Sequence, residues 1–474
     1  MKVLLVDIPT YSVTLCEQRK QLLLLRLKAE AEIQARRLGL TPKRPMRTYS
    51  RGLLIVAAGL KERGYDVKYI VYSDEKDRQR LLSFSQEADV LGITVLTPTV
   101  SLAADICRTA KAVNPSIICV IGGPHIKVLP EETLRLYSCF DVAVYGPGEI
   151  IFPDLISSLA DPSRVPGIAF RKQGDDDTER SSEPLLPDNS AEVSPAYELL
   201  YRHLSEYAHN IRTQDGCPYN CDFCVDRCSW SGKRNVRTIS SVISELAHLA
   251  TFCEPITLIH FSDSIFCLDK SRALALCREM ERFTDRFIFS VDLRADLLDY
   301  ETVSSMVRAN VQYFRLGFED CHSEILNCVR KGILPATAIE AARLIREVSP
   351  KSVIHAYWVT GLPGTSKLSL IENALGISRL ITEEVVDVVG NKIFVPYPGI
   401  PCYDSPEKYG IALLTKNWRY YDRLSFPVYR LDDLSEFEIY SGFLFSQSMQ
   451  LQAYIDRLGA EPSFPIASLS DYGI

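Results

Sequence analysis

The sequence predicts an α/β protein: an N-terminal doubly wound (Rossmann-like) domain, then a partial (β/α)6 barrel, then a small C-terminal cap. Three observations predict it. Short apolar runs alternate with helix-period patterns over residues 1–171. A charged, Ser/Pro-rich stretch (KQGDDDTERSSEPLLPDNSAEVSP) opens at 172 and reads as a connection running to about 204. A second alternation, six β/α units in about 190 residues, then fills 205–405.

In the first domain, strands are expected at 2–7, 67–72, 90–95, 117–121 and 142–145. GLLIVAAGLKER (52–63) reads as a helix stopped by Gly64, a common C-terminal cap, and AADICRTAKAV (103–113) as another. Strands alternating with helices imply a parallel sheet covered on both faces, and such sheets bind ligands outside the carboxyl ends of their strands. Those ends carry Thr94, Thr97, Pro98 and Thr99, then Gly122-Gly123-Pro124-His125, then Gly146-Pro147-Gly148-Glu149. Small or hydroxylated residues at three successive strand ends make a floor where a large flat ligand can approach the backbone. Residues 19–51 interrupt the pattern with a basic, helix-prone insertion. It is expected to pack on this domain as an amphipathic helix, the alternative being a membrane-surface or partner contact.

In the second series, strands are expected at 210–214, 257–262, 288–294, 313–317, 353–359 and 388–395. Helices are expected between them at 240–250, 270–283, 302–309, 336–347 and 368–381. An incomplete barrel places its functional groups at strand C-termini by the same logic as a complete one. From 406 the pattern weakens into a Tyr/Phe-rich segment, read as a small cap facing the substrate.

Composition narrows the class. Of 474 residues, 46% are hydrophobic and 24% charged, so a disordered or fibrous chain is excluded. Lys and Arg number 53 against 60 Asp and Glu, and a net charge of −7 gives no electrostatic reason to expect nucleic acid. No apolar run approaches the ~20 residues of a membrane span, and Asp7 breaks the only apolar stretch near the N-terminus. A cytoplasmic protein is expected.

In such a compartment fourteen cysteines call for explanation, because structural disulfides are rare there. Cys107, Cys119, Cys253, Cys277 and Cys328 stand singly among apolar or helical residues, as small hydrophobes do. Four crowd into RTQDGCPYNCDFCVDRC: Cys217, Cys221 and Cys224 at C-x3-C-x2-C, with Cys228 beyond. Thiolates so spaced on one loop can hold zinc or an iron–sulfur cluster. Structural zinc usually needs a second paired arm, and the sequence has none. Three thiolates on a four-iron cubane would leave one iron open to a substrate or cofactor. Tyr219 and Phe223 can shield such a cluster from water.

This segment resembles the C-x3-C-x2-C motif of the radical S-adenosylmethionine (SAM) superfamily. The resemblance implies that Cys217, Cys221 and Cys224 hold a 4Fe-4S cluster whose open iron chelates SAM. One electron then cleaves SAM to methionine and a 5′-deoxyadenosyl radical. The match runs from about 205 to 405. HFSDSIF (260–266) resembles the second-strand segment, with Asp263 beside the site; SVDLRAD (290–296) supplies Arg294 as a partner for the SAM carboxylate. RLGFED (315–320) resembles the strand-four segment, with Gly317 and Glu319 near the ribose and methionine parts. TGLPG (360–364) and VPYPGIPC (395–402), the latter containing Pro396, resemble the loops that complete the pocket, and Phe223 is placed beside the cofactor. Cys228 departs from the pattern. As a fourth ligand it would close the cluster; as a free cysteine pointing away it would leave the SAM segments their use.

The first domain resembles the cobalamin-binding domains fused in front of radical SAM barrels, through RGLLIVAAGLKERGYDV (51–67), ADVLGITVLTPTV (88–100), VIGGPH (120–125) and DVAVYGPGE (141–149). The resemblance places Gly122 and Gly123 by the nucleotide tail of cobalamin and the loop of Thr94, Thr97 and Thr99 beside the corrin. It adds Pro124, His125, Gly146 and Glu149 to the cofactor floor. A D-x-H-x-x-G motif is absent, so cobalt would take no ligand from such a histidine. The alternative is a doubly wound scaffold serving only substrate or partner.

Together the two resemblances imply C-methylation at an unactivated carbon of a biosynthetic small molecule or peptide. The rival outcome is a cobalamin-dependent cyclisation, ring contraction or oxidation. A reading from another class is an electron carrier that uses all four cysteines and never cleaves SAM. The enzyme readings imply an external one-electron reductant of flavodoxin or ferredoxin type, and no nucleic acid partner.

Overall fold

The computed structural model describes residues 1–8, 17–39, 48–73, 75–171, 177–184, 194–200, 207–227 and 235–462. The chain divides into two units. One holds the first strand and the residues from 48 to 207; the other holds the helix Glu17–Leu38 and everything described from 208 onward.

The first unit is built on seven strands: β1 (Lys2–Asp7), β2 (Asp66–Val71), β3 (Val90–Thr94), β4 (Ile118–Gly122), β5 (Val142–Val144), β6 (Ile168–Arg171) and β7 (Thr178–Arg180). Their order is β2-β1-β3-β4-β5-β6-β7; the first five are parallel and the last two antiparallel. The parallel strands are buried on both faces, which is why they read as unbroken apolar runs. The antiparallel pair is a finding. Residues 178–180, read above as part of the connection, form an edge strand whose Thr-Glu-Arg side chains are mostly exposed, a composition that keeps a sheet edge from pairing further.

The second unit is a six-stranded parallel sheet in sequence order: β8 (His209–Ile211), β11 (Thr257–Phe261), β12 (Phe287–Leu293), β13 (Val311–Glu319), β14 (Val353–Thr360) and β15 (Val388–Ile393). Two small antiparallel pairs flank it, β9 (Gln214–Asp215) with β10 (Asn235–Val236) and β16 (Ile411–Leu413) with β17 (Tyr429–Leu431). Phe261, Phe289, Phe314, Leu316, Ala356 and Trp358 point to one face and are buried, while the alternate residues of β13, β14 and β15 are partly open. The helices 239–250, 270–280, 300–308, 335–348 and 367–382 fall between the strands, as the periodicity predicts.

An incomplete barrel leaves an open strand edge, and here it is closed by side chains. The Val389 amide donates to Tyr454 Oη at 2.8 Å, and its carbonyl accepts from Gln450 Nε2 at 2.5 Å and from Arg26 Nη1 at 3.4 Å. Tyr454 and Gln450 belong to the helix Glu436–Leu458, which starts on a Ser435–Glu438 capping box and stops at Gly459. Arg26 belongs to the helix Glu17–Leu38. The basic insertion was expected on the first domain; its helix instead packs in the second unit, where Arg26, paired with Glu30 at 3.1 Å, and Arg37, bonded to the buried Asp387, tie it to β15 and the C-terminal helix. An edge with unpaired backbone groups needs such cover. No helix among the described residues is long and apolar enough to cross a membrane.

Candidate functional site

The cluster loop leaves β8 at Ile211 and is fixed at two points. At its start, Asp263 at the end of β11 accepts from the Thr213 amide at 2.6 Å, the Thr213 hydroxyl at 2.5 Å and the Gln214 amide at 3.3 Å. Burial raises this carboxyl to about 6 despite those three donors. Asp263 therefore holds the loop, with both oxygens engaged. In its middle, the buried Asp222 accepts from Arg227 at 2.8 Å and from Arg330 Nε at 2.6 Å, while its amide donates to the Val329 carbonyl at 3.0 Å.

Between these anchors lie Cys217, Cys221 and Cys224, with Cys221 buried and the other two partly open. Burial pushes all three thiols up; Arg294 pulls Cys217 and Cys221 back, and Lys331 does the same for Cys221 and Cys224. Three sulfurs on one loop with two cations beside them fit an anionic iron–sulfur cluster, whose metal takes cysteine as thiolate. Among the described residues, the group whose ligand atoms all lie within 4.8 Å of each other is Asp320, Cys321 and His322 rather than these three. That triplet is engaged otherwise: the two His322 nitrogens meet Asp320 and Glu372 at 2.8 Å each, and Asn373 bonds Asp320 and the Cys321 amide.

The triplet anchors the turn that presents Glu319. Glu319 has φ +66°, a left-handed conformation that costs a non-glycine residue about 1 kcal/mol, at a register shift between β13 and β14. Its buried carboxylate accepts from Lys331 Nζ at 2.6 Å. Burial alone would lower Lys331; Glu319, Cys221 and Cys224 hold it above the ordinary lysine value. The pair lies over Gly317, where a Cβ would stand 2.5 Å from Glu319 Oε1 and 2.7 Å from Lys331 Nζ. Arg294 follows β12, stacks 3.7 Å from the Tyr219 ring centroid, and donates to the Lys331 and Gly332 carbonyls at 3.0 and 3.1 Å. Arg294, Glu319, Gly317 and the cysteines are thus brought together. Lys331 lies 5.9 Å from the Phe223 ring centroid, which puts Phe223 in the same group.

Other expectations fare differently. Pro396 is buried just beyond β15. In the 360–364 loop the Gly361 carbonyl accepts from the buried Tyr429 hydroxyl at 2.5 Å, which ties the C-terminal segment to that loop. Trp358 is 1% exposed, stacks on Phe318 and donates to Asn373, so it is core. Cys228 lies outside the described residues. Lys331, Asp222 and Tyr429 were missed. An Arg330-Lys331-Gly332 run was visible, but nothing local shows that it reaches back to the cysteines.

In the first unit, Gly122, Gly123, Pro124 and Gly146 form the strand-end floor with Thr94, all at least partly open. Gly123 has φ +102°, and a Cβ there would stand 2.9 Å from Thr94 Oγ1 and from the Val95 backbone, so only glycine lets these two strand ends close up. Thr97, Thr99 and His125 lie beneath: His125 Nδ1 meets Thr97 Oγ1 at 3.1 Å, and Thr99 Oγ1 caps the Leu96 amide at 3.0 Å. Burial lowers His125 to about 4, so its ring is neutral. Glu149 is half-buried in the first turn of the helix Gly148–Ser157. A floor without projecting side chains fits a flat macrocycle.

Residues 38–156 match the B12 binding domain family. The chain is 27% identical over 409 residues to a Pyrococcus horikoshii protein named uncharacterized methyltransferase PH0819, covering 82% of this chain and 84% of that one. It is 24% identical to the anaerobic magnesium-protoporphyrin IX monomethyl ester cyclase of Cereibacter sphaeroides, over 73% of this chain and 58% of that protein. The fold matches the radical SAM methyltransferase TsrM of Kitasatospora setae. The TM-score is 0.63 at 17% identity, over 90% of this chain and 83% of that one, for the structure with tryptophan and a SAM analogue. It is 0.64 at 16% identity, over 90% and 82%, for the structure with cobalamin and a [4Fe-4S] cluster. The chain thus pairs a B12-binding domain match with a fold shared with radical SAM methyltransferases, and it is similar to cobalamin-dependent members of that superfamily.

Proposed function

We propose that this protein is a cobalamin-dependent radical SAM C-methyltransferase acting on an unactivated carbon of a small molecule or peptide. The observation that carries the reading is the assembly of three loop thiols, Arg294 and the Glu319–Lys331 pair at the strand ends of one partial barrel. Cys217, Cys221 and Cys224 would hold the 4Fe-4S cluster, and the strand-end floor of the first unit would hold cobalamin. When bound, these groups with SAM supply hydrogen abstraction and a transferable methyl, chemistry that side chains do not provide.

The chain's own residues bind and orient. Arg294 can exchange its two backbone carbonyls for the SAM carboxylate, which its fork fits in bidentate fashion. Glu319 would take the polar end of the same ligand, with Lys331 holding it in place. Asp263 and Asp222 fix the loop, so that the sulfurs are positioned before any ligand arrives. An external flavodoxin- or ferredoxin-type protein would supply the electron.

The kinship to cyclases favours a second reading, ring closure with the same cofactors and no methyl transfer. The test is to reduce the reconstituted protein with SAM and measure nucleoside products. Both 5′-deoxyadenosine and S-adenosylhomocysteine are expected. 5′-Deoxyadenosine alone would favour ring closure, and neither product would sink both readings.

A further inference from the structure

The concave face of the second sheet carries polar residues that the cluster loop does not use. On β11 to β15 the partly open polar positions include His260, Asp292, Tyr313, Arg315, His355, Tyr357 and Lys392, while their neighbours in the chain are mostly buried. Pairing sets Asp292 opposite Arg315 and Arg315 opposite His355. Tyr357 is opposite Gly390, where a Cβ would stand 2.6 Å from His355 Nε2; the missing side chain gives the imidazole its room.

Asp292, the acid opposite Arg315, is already engaged. His260 Nε2 lies 3.3 Å from Asp292 Oδ2, and the Tyr357 hydroxyl donates to Oδ1 at 3.0 Å. Burial alone would raise Asp292; His260, Arg315 and Tyr357 hold it below the usual carboxylate value.

The bases are not matched in return. Arg315 has five N–H donors and, among the described residues, one hydrogen bond, from Nη1 to Tyr357 Oη at 3.3 Å. Its Nε is buried without a partner, and so is His355 Nε2. Burial and the Arg315 charge keep His355 neutral. Lys392 meets Glu30 and Asp422 through charge alone. Glu30 already pairs with Arg26, and Asp422 is offset by its chain neighbour Arg423. Burial pushes the Lys392 amine down to about 7, so an incoming negative charge would restore its proton. Buried donors left unpaired are costly; an anion beside Arg315 would relieve that cost, and within reach of Lys392, whose charge also acts on His355, it would restore the lysine proton.

We propose that this concave face is an anion-recognition site: the substrate carries a carboxylate or phosphate held by Arg315 and Lys392, and its body lies against Tyr313 and Tyr357. Calling the ligand the substrate rests on the radical SAM reading above; anion binding itself does not.

The test is equilibrium titration of the anaerobically reconstituted full chain with four small probes: benzoate, phenyl phosphate, benzamide and benzylamine. At least one anion should bind saturably and at least tenfold more tightly than both benzamide and benzylamine. Which anion wins tells carboxylate from phosphate. Arg315→Gln and, independently, Lys392→Met should each weaken that anion at least tenfold while keeping wild-type iron content as the sign of a folded barrel. Equal affinity for benzamide, saturable binding of neither anion, or undiminished binding in a folded variant would overturn the proposal. Loss of the radical SAM reading would show separately, as wild-type protein that binds the anion yet releases no 5′-deoxyadenosine.

Discussion

The strand ends of the two units solve opposite problems. In the first unit they are bare: glycines and a proline at the surface, with Thr97, Thr99 and His125 bonded among themselves or to nearby backbone beneath. In the second they are charged: three thiols, Arg294, and the buried Lys331–Glu319 pair. A surface of the first kind holds a ligand by shape and backbone approach; one of the second kind holds it by charge and coordination. The two are therefore broken in opposite ways. The first fails when a side chain is added, the second when one is removed.

The largest expected effect is at the cysteines. Cys221→Ala should drop iron from about four per chain to near zero and abolish 5′-deoxyadenosine formation, read by iron assay and nucleoside chromatography. Next comes the buried pair. Lys331→Met leaves the Glu319 carboxylate unpaired, which should cost about 3 kcal/mol in denaturant unfolding.

Comparable in size is a pH effect at the loop's anchor. A carboxyl whose folded pKa of about 6 exceeds its unfolded value binds its proton more tightly when folded. Its contribution therefore favours the fold at low pH and is lost as pH rises from about 4 to about 6, by about 3 kcal/mol. Asp263→Asn, which can keep the Thr213 bonds, should flatten that slope in unfolding measured across the window.

Smaller still is Gly123→Ala, which forces a Cβ against Thr94 and Val95. It should cost about 2 kcal/mol and weaken corrin retention while leaving iron content unchanged. Equal loss of both would mean that the two regions do not act separately. The smallest is Tyr429→Phe, which removes the bond to the Gly361 carbonyl and should cost about 1 kcal/mol in thermal unfolding.

Much of this was legible in the sequence, because parallel strands and amphipathic helices announce themselves by period, and because three cysteines on one loop are a local pattern. Arg294 and Glu319 were legible for the same reason, each at the end of a readable strand. What was not legible depends on long-range contact. Lys331 reaches Glu319 and the cysteines only because the chain folds back after β13. The helix Glu17–Leu38 lies in the second unit because β15 is an edge whose amide and carbonyl need partners, and nothing in residues 17–38 says which edge they cover. The strand 178–180 was hidden by its own exposed, charged side chains, which suit an edge and read as a linker.

On the proposed function, one chain holds both cofactors, one on each kind of strand end. The direct measurement is anaerobic cluster reconstitution, addition of hydroxocobalamin, gel filtration, and a spectrum and iron assay of the protein peak. About four irons per chain with corrin absorbance co-eluting is the predicted result; a protein peak without iron, or corrin eluting wholly apart from it, would contradict the account.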